Sequence, residues 1–566
     1  MRKAIVGAIL FIVAADARAQ TLGANLNLTR ATGNQYEAAV AINPADSNQI
    51  FVVARNEVGG LYKALSADGG ATWTSALFAI RNTPSPGDVP RAYGNASAAW
   101  DAFDNLFLVY LAEGSTTAPT YVAIAVSTDG GANFFSPAGS GPALLLPVNT
   151  SPYLIGDQPT VTVGPGSAGF PGSVWVTYWS QGGIWASSAG VTGTGGVGAF
   201  TSQPLPSQPA SVNFGDIAVG PGGEAIVTYG PNSGSSGTVY VNTDPDGLGA
   251  SPFGAFVAVA AVNIGGFTGI PAQPNWGVDP EAGLAFDRSH GPHRGRVYLM
   301  YTDAPAVGSA DTNIFIVHSD DRGATWSAPL RVNDDAGDHS QFLPRLSLDQ
   351  STGAIAVTWY DARWSPLNTT AQYFGAFSLD GGATFTPNMR LSTGMSDQAR
   401  SVAALKKTDY GDYTGNAFSG GKLVSAWADN SNSTGDNPDG ATNFDVYTAV
   451  VQATTATAGS VPDGALLLEP GAGGTLRLTW SASCLPADAD YAVYEGSIGH
   501  FQSHVPLLCS TSGATAVSIV PGAGDRYYLV VPLNGAFEGS YGWDGESMPR
   551  PASASACHPQ AMVVCP

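Results

Sequence analysis

The sequence predicts an all-β fold: a ring of small repeated sheets followed by a small β-sandwich. Three observations lead there. The unit Ser66-Ala67-Asp68-Gly69-Gly70-Ala71-Thr72-Trp73 returns at 127–134, 319–326 and 378–385 with its Ser, Asp, Gly and aromatic residue in register. Seven short apolar runs rich in Val, Tyr and Trp recur between and beyond these units. With 71 Gly, 39 Pro and only 12% charged residues, the composition is that of a turn-rich β protein.

The repeated unit reads as a hairpin turn. Asp accepts hydrogen bonds from the N–H groups of its own turn, Gly supplies positive φ, and the aromatic ring plugs the start of the next strand. Each unit sits in a longer repeat of about 60 residues, the period of propeller blades. The second strands align at 51–54, 106–110, 174–178, 225–229, 297–301, 355–359 and 423–427, which makes seven. Units three and four carry eroded turns at 186–200 and 242–253, and unit seven has none. Thr21 to Arg30 is extended sequence expected to close the ring by adding an outer strand to the last sheet.

The flanks follow the same logic. Met1 to Ala19 has a basic start, an apolar core and an Ala-Arg-Ala end, and reads as a signal peptide (1–19). The ring is expected over 20–453 and a linker of small residues over 454–461. A β-sandwich resembling fibronectin type III is expected over 462–549, and a disulfide-stapled tail over 550–566. No later run is long and apolar enough to span a bilayer. All four cysteines, Cys484, Cys509, Cys557 and Cys565, fall in the last hundred residues of a chain expected to be exported. They read as disulfides, with Cys484–Cys509 and Cys557–Cys565 as the expected pairs. The net charge of −21 becomes −23 when Arg2, Lys3, Arg18 and Asp16 leave with the leader. Such a polyanion repels nucleic acid and anionic membranes. A secreted monomer, extracellular or periplasmic, is expected.

The four units resemble the Asp box (BNR repeat) of sialidases and related β-propellers. The resemblance implies a propeller, seven-bladed by the count of second strands, with six blades, the number in sialidases, as the alternative. It also implies that Asp68, Asp129, Asp321 and Asp380 are structural, on the face opposite any active site. Sialidases hold a sugar carboxylate with three arginines and use a Tyr–Glu nucleophile and an Asp acid/base. Here the family's Arg-Ile-Pro motif is absent, and Val89-Pro90-Arg91 and Leu343-Pro344-Arg345 carry Pro and Arg in reverse. The arginines available to bind substrate are Arg55, Arg91, Arg345 and Arg363, with Glu281 beside them.

Chemistry in such a ring belongs at the mouth of the central channel. Asp303, Asp361 and Asp429 each follow an aromatic residue by two at the end of a second strand. They read either as a ring of catalytic carboxylates or as caps of their own turns. The inner strands begin with Glu37, Asn95, Asp157, Asp216, Glu281, Arg345 and Asp412-Tyr413, which line a watery channel or serve catalysis, Tyr413 beside Asp412 being the favoured tyrosine. Loops 333–338 and 429–439 are oxygen-rich and suit Ca²⁺, although neither has EF-hand spacing and no cofactor is required. Two readings follow: a glycan-directed protein, as an exo-glycosidase, or a non-catalytic extracellular binding propeller whose partner is a glycan or surface polymer.

Overall fold

The computed structural model describes residues 20–566 except 116–117, 140, 148–155, 290, 403–408, 454–457, 463–465, 486–487, 489, 535–536, 544–549, 554, 559 and 561–566. The expected leader at 1–19 lies outside the described residues, as does part of the expected linker. The chain is all-β, with two short 3-10 turns and no α-helix among the described residues.

Seven antiparallel sheets of four or five strands follow one another along residues 20–453. Their inner strands are Gln35–Ile42, Ala92–Trp100, Gly156–Pro165, Val212–Val219, Gly283–Phe286, Gln341–Leu348 and Gly415–Ser419. Each inner strand packs beside the next, and the seventh beside the first, so the sheets form a closed ring. The second strands are Ile50–Asn56, Leu106–Ser115, Gly172–Ser180, Ala225–Pro231, Val297–Asp303, Ile355–Asp361 and Lys422–Asp429. They contain all seven apolar runs, which are continuous because each sheet is covered on both faces. Seven hydrophobic clusters lie in the clefts between consecutive sheets rather than in one common centre.

Closure takes the expected route. Gln20–Leu22 pairs with Val451–Ala453 as the outer strand of the seventh sheet, and Leu26–Asn27 pairs with Tyr447–Thr448. Thus the first and last strands of the ring share one ladder.

The four repeated turns have one geometry. Ser66 donates its hydroxyl to Asp68 (2.8 Å) and accepts from the buried Gly70 N–H (2.9 Å), while Asp68 accepts from Thr72 N–H (2.9 Å). The same pattern recurs at Ser127, Ser319 and Ser378. Gly70, Gly131, Gly323 and Gly382 supply positive φ of 92°, 90°, 85° and 82°. The aromatic ring plugs the cleft toward the preceding sheet: Phe134 packs between the first and second sheets, Trp326 between the fourth and fifth. Polar donors reach across the same clefts, Lys63 to Gly131 O (2.8 Å) and Arg296 to Gly381 O (2.9 Å). Each turn is therefore a clamp between neighbouring sheets as well as a hairpin. The fourth sheet keeps an altered version, with Asp244 in place of Ser and accepting from Gly247 N–H (2.8 Å).

After the ring come a three-stranded and a four-stranded sheet. They share a core of Leu478, Trp480, Tyr491, Val493, Ile519, Tyr528 and Val530. The cysteine pairing differs from expectation: Cys509 bonds Cys557, tying the four-stranded sheet to the tail across 48 residues of sequence. This excludes both Cys484–Cys509 and Cys557–Cys565. Cys484 is also disulfide-bonded, and Cys565 lies outside the described residues. The expected pairs joined near neighbours in sequence, whereas the fold brings the tail back across the sheet.

Candidate functional site

The site is built by a repeated distortion where the inner strands begin. The ladder with the second strand slips between Tyr36 and Ala39, Gly94 and Ser97, Asp157 and Thr160, Asn213 and Asp216, and Phe342 and Arg345. A bulge re-aims the side chains beside it. Glu37, Asn95, Gln158, Glu281 and Leu343 take positive φ of 53°, 51°, 44°, 43° and 49° at or beside these points. Each such non-glycine residue costs about 1 kcal/mol. Strain repeated at one end of one ring makes that end the candidate site.

This end is opposite the repeated turns. In the sixth sheet Ile355 pairs with Ser378, which opens the repeated turn, while Asp361 pairs with Gln372 at the far end and with Gln341, where the inner strand begins. The fifth sheet has the same polarity, Val297 facing Ser319 and Asp303 facing Asn313.

All seven sheets contribute to a central cavity of about 60 Å³, including Ala39, Ser97, Gln158, Asp216, Glu281, Arg345 and Tyr413. Around it burial shapes the titration. Asp412 is pushed well above the usual carboxylate range by burial, and then by the charges of Glu37, Asp279 and Asp157. Burial lifts Asp279 to about 7, and Asp157 to about 6 against a hydrogen bond from Gln158 N–H. Glu37 is raised by burial despite Arg55, whose guanidinium lies 3.5 Å away. Glu281 is pushed well up by burial and Asp279, and neither of its buried carboxylate oxygens has a hydrogen-bond partner in the protein. Asp216 is raised by burial despite Arg345, and accepts from Leu284 and Ile217 N–H (both 2.8 Å).

An aromatic rim borders these acids. Trp276 donates its indole N–H to Asp412, and Gln158 donates to the other oxygen (3.3 Å). Trp276 meets Phe267 edge to face at 6.5 Å. The Arg55 guanidinium lies 4.7 Å from the Tyr93 ring centre. Tyr93 and Phe267 are 46% and 44% exposed, well beyond what a core ring would be.

Four of the residues singled out in the sequence line the cavity: Tyr413, Arg345, Glu281 and Asp216. Tyr413 is buried, its phenol pushed well up by burial and by Glu37 and Asp412, so it stays neutral and donates to Ala96 O (3.3 Å). A nucleophilic phenolate is the opposite requirement. Asp361, Asp303 and Asp429 lie on the expected face but do not line the cavity. Asp361 accepts from Trp359 Nε1 (2.9 Å), Arg363 N (2.9 Å) and Arg363 Nη2 (2.8 Å). Asp429 accepts from Trp427 Nε1 (3.1 Å), Ser396 Oγ (2.9 Å) and Ser431 N (2.7 Å), and Asp303 from Asn263 N (2.6 Å). They have the geometry of turn caps. Arg363 is occupied by Asp361 and Asp334, and Arg91 by the half-exposed Glu113.

The hairpin Thr268–Ile270 and Gln273–Val278, which delivers Trp276, was invisible as an element in the sequence. Its signal was the spacing between second strands, which is longest between Ala225 and Val297. Among the described residues, no group of three or more His, Cys, Asp or Glu is arranged to hold a metal. In loop 333–338, Asp334 binds Arg363 and Asp335 accepts from Asn333 (2.7 Å). In loop 429–439, Asp436 pairs with Arg30 at 2.8 Å.

No family model and no curated protein match this chain. Solved structures resemble it distantly. A protein of unknown function from Dyadobacter fermentans DSM 18053 is 13% identical over 76% of this chain and 99% of its own, with a TM-score of 0.39. An endosialidase of phage phi92 is 11% identical over 81% and 75%, with a TM-score of 0.40. The lectin BP39L from Burkholderia pseudomallei is 12% identical over 70% and 92%, with a TM-score of 0.41. Likenesses this distant carry no argument about ligand or reaction, which rest on the residues above.

Proposed function

We propose that this chain is a secreted, seven-bladed propeller followed by a β-sandwich of fibronectin type III character, and that the strained end of its ring acts on glycans. One observation carries the reading. Protonatable carboxylates converge where seven strands begin, and half-exposed aromatic rings border them. Sugars are bound by aromatic faces together with hydroxyl-directed carboxylates. Glycoside cleavage requires one carboxyl group that keeps its proton near neutral pH and a second that does not. Asp412 has the environment of the acid, and Asp157, lower in the series, that of its ionised partner. Arg345 and Glu281, which line the cavity, orient the sugar in this reading. The absence of a long apolar helix among the described residues and the disulfide Cys509–Cys557 are compatible with export.

A panel of immobilised glycans and chromogenic glycosides tests this on the full chain. Glycan binding should be found, and Asp412→Asn should lower turnover about a hundredfold or more at unchanged or higher melting temperature. If no glycan binds, the reading fails. A second reading, binding without hydrolysis, is favoured by the cavity itself. At about 60 Å³ it admits a few waters rather than a sugar ring. Binding without turnover on any glycoside selects it.

A further inference from the structure

The charge around the cavity narrows the class of glycan. Five carboxyl groups, those of Glu37, Asp157, Asp279, Glu281 and Asp412, sit within reach of one another's fields, and Asp216 lies in that of Arg345. Two guanidinium groups answer them among the described residues. Arg55 faces Glu37 and is covered by Tyr36 and Tyr93, and Arg345 already lies in the field of Asp216 and Glu281. Among the described residues, Arg345 is the one arginine that lines the cavity. Both oxygens of Glu281 and one oxygen of Glu37 are buried without a protein donor. Such acceptors call for a ligand that brings hydroxyl or ammonium donors. At pH 7, where Asp157 (about 6) is ionised and Asp279 (about 7) half so, an added anion would instead meet like charge in a medium of low dielectric.

Resting on the glycan reading above, we propose that the mouth of this cavity, bordered by the aromatic rim, takes the end of a neutral or amino-bearing sugar chain and excludes one carrying a carboxylate, sulfate or phosphate. The aromatic rim agrees with this choice, since Tyr93 and Trp276 offer electron-rich faces to C–H bonds and to cations. The sialidase-like resemblance of the turns would lead to the opposite ligand. The turns sit at the other end of the sheets and have no say in the charge of the cavity.

The test is calorimetry on the full chain at low ionic strength with four probes: chitosan tetramer, chitin tetramer, 3′-sialyllactose and tetragalacturonate. At least one of the first two should bind about tenfold or more tighter than either anionic probe, because like charges across an interface cost several kcal/mol. Added salt should narrow the gap for chitosan. Glu281→Gln should weaken the preferred probe about fivefold while the melting temperature holds, because the amide replaces one of the two unpartnered oxygens offered to the ligand. Should sialyllactose or tetragalacturonate bind as tightly as the better non-anionic probe, this inference falls and the glycan reading stands. If none of the four binds, and the wider panel is also silent, both fall. An unchanged affinity in Glu281→Gln, with Glu37→Gln also unchanged, removes the assignment to this cavity.

Discussion

At one end of the ring Asp68 and Asp321 are exposed and each accepts hydrogen bonds from a Ser hydroxyl, a Thr hydroxyl and a backbone N–H. Their pKa values fall to about 2, driven first by the Thr72 and Thr325 hydroxyls. At the other end of the same sheets, Asp157, Asp279, Asp412 and Glu281 are shut away from water, with two donors at Asp412, one each at Asp157 and Asp279 and none at Glu281, and burial raises all four. The residue types are the same and the sheets are the same. What differs is whether the surrounding backbone was shaped to satisfy the carboxylate or to leave it wanting. Saturated carboxylates hold a fold together; unsaturated ones are free to meet a ligand.

Asp361 gives the strongest way to break this division, because it is saturated yet lies at the ligand end. Removing it takes from Arg363, whose side chain is 13% exposed, its fully buried partner and leaves only the half-exposed Asp334 at hydrogen-bond distance among its carboxylates. Breaking a pair as buried as this costs about 3 kcal/mol or more. Asp361→Ala should therefore lower stability in urea by about that amount while the folded fraction keeps its ligand affinity. A loss of binding at full stability would move Asp361 into the site.

The two ends should also respond oppositely to pH. Asp68 and Asp321 are depressed from 3.8, so their contribution is complete above that pH and is lost as pH falls toward 2. Asp157 and Asp279 are raised from 3.8, so their cost is absent below it and complete once pH has risen past about 6 and about 7. Thermal stability should peak on the acid side of neutral, near pH 4 to 5 by this balance. Asp157→Asn should recover roughly 3 kcal/mol at pH 8 and almost nothing at pH 3. A flat difference across that range would mean that Asp157 is not buried as a charge.

Smaller effects sharpen the other side. Ser378→Ala deprives the buried Gly382 N–H of its acceptor and Asp380 of a donor, and should cost about 1 to 3 kcal/mol. Ligand binding in Ser378→Ala should be unaffected, and a selective loss of binding would count against a purely structural turn. Arg91→Ala removes a half-exposed pair with Glu113 and should change stability by less than about 1 kcal/mol and binding not at all.

The legible parts of this molecule were those in which local chemistry and sequence order coincide. The four turns could be read because Ser, Asp, Gly and the aromatic residue all act within eight positions. The second strands could be read because burial on both faces gives unbroken apolar runs. The inner strand starts were legible as polar points but not as one register. Asp157 precedes the bulge position, Glu37, Asn95 and Glu281 take its positive φ, Asp216 and Arg345 lie two residues past it, and Asp412 precedes a strand whose ladder has no slip. A slip of this kind hides which side chains face the same way. Asp361 and Asp429 looked like a ring because sequence shows a carboxylate but not the tryptophan N–H and arginine that occupy it. The Cys509–Cys557 bond and the Trp276 hairpin depend on long-range contacts that no local pattern encodes.

The shared ladder of the seventh sheet has a kinetic consequence. Gln20–Leu22 can find its partner only after Val451–Ala453 has been synthesised, so the ring stays open until more than four hundred residues are available. Contacts of such sequence separation are slow to form. Until closure, the first and seventh sheets each present an unpaired flank to other chains, the hazard of slowly folding β proteins. The clamp turns are local and can fold each hairpin early, so they limit what remains unfinished during that wait. The last event is the docking of the chain's two distant ends.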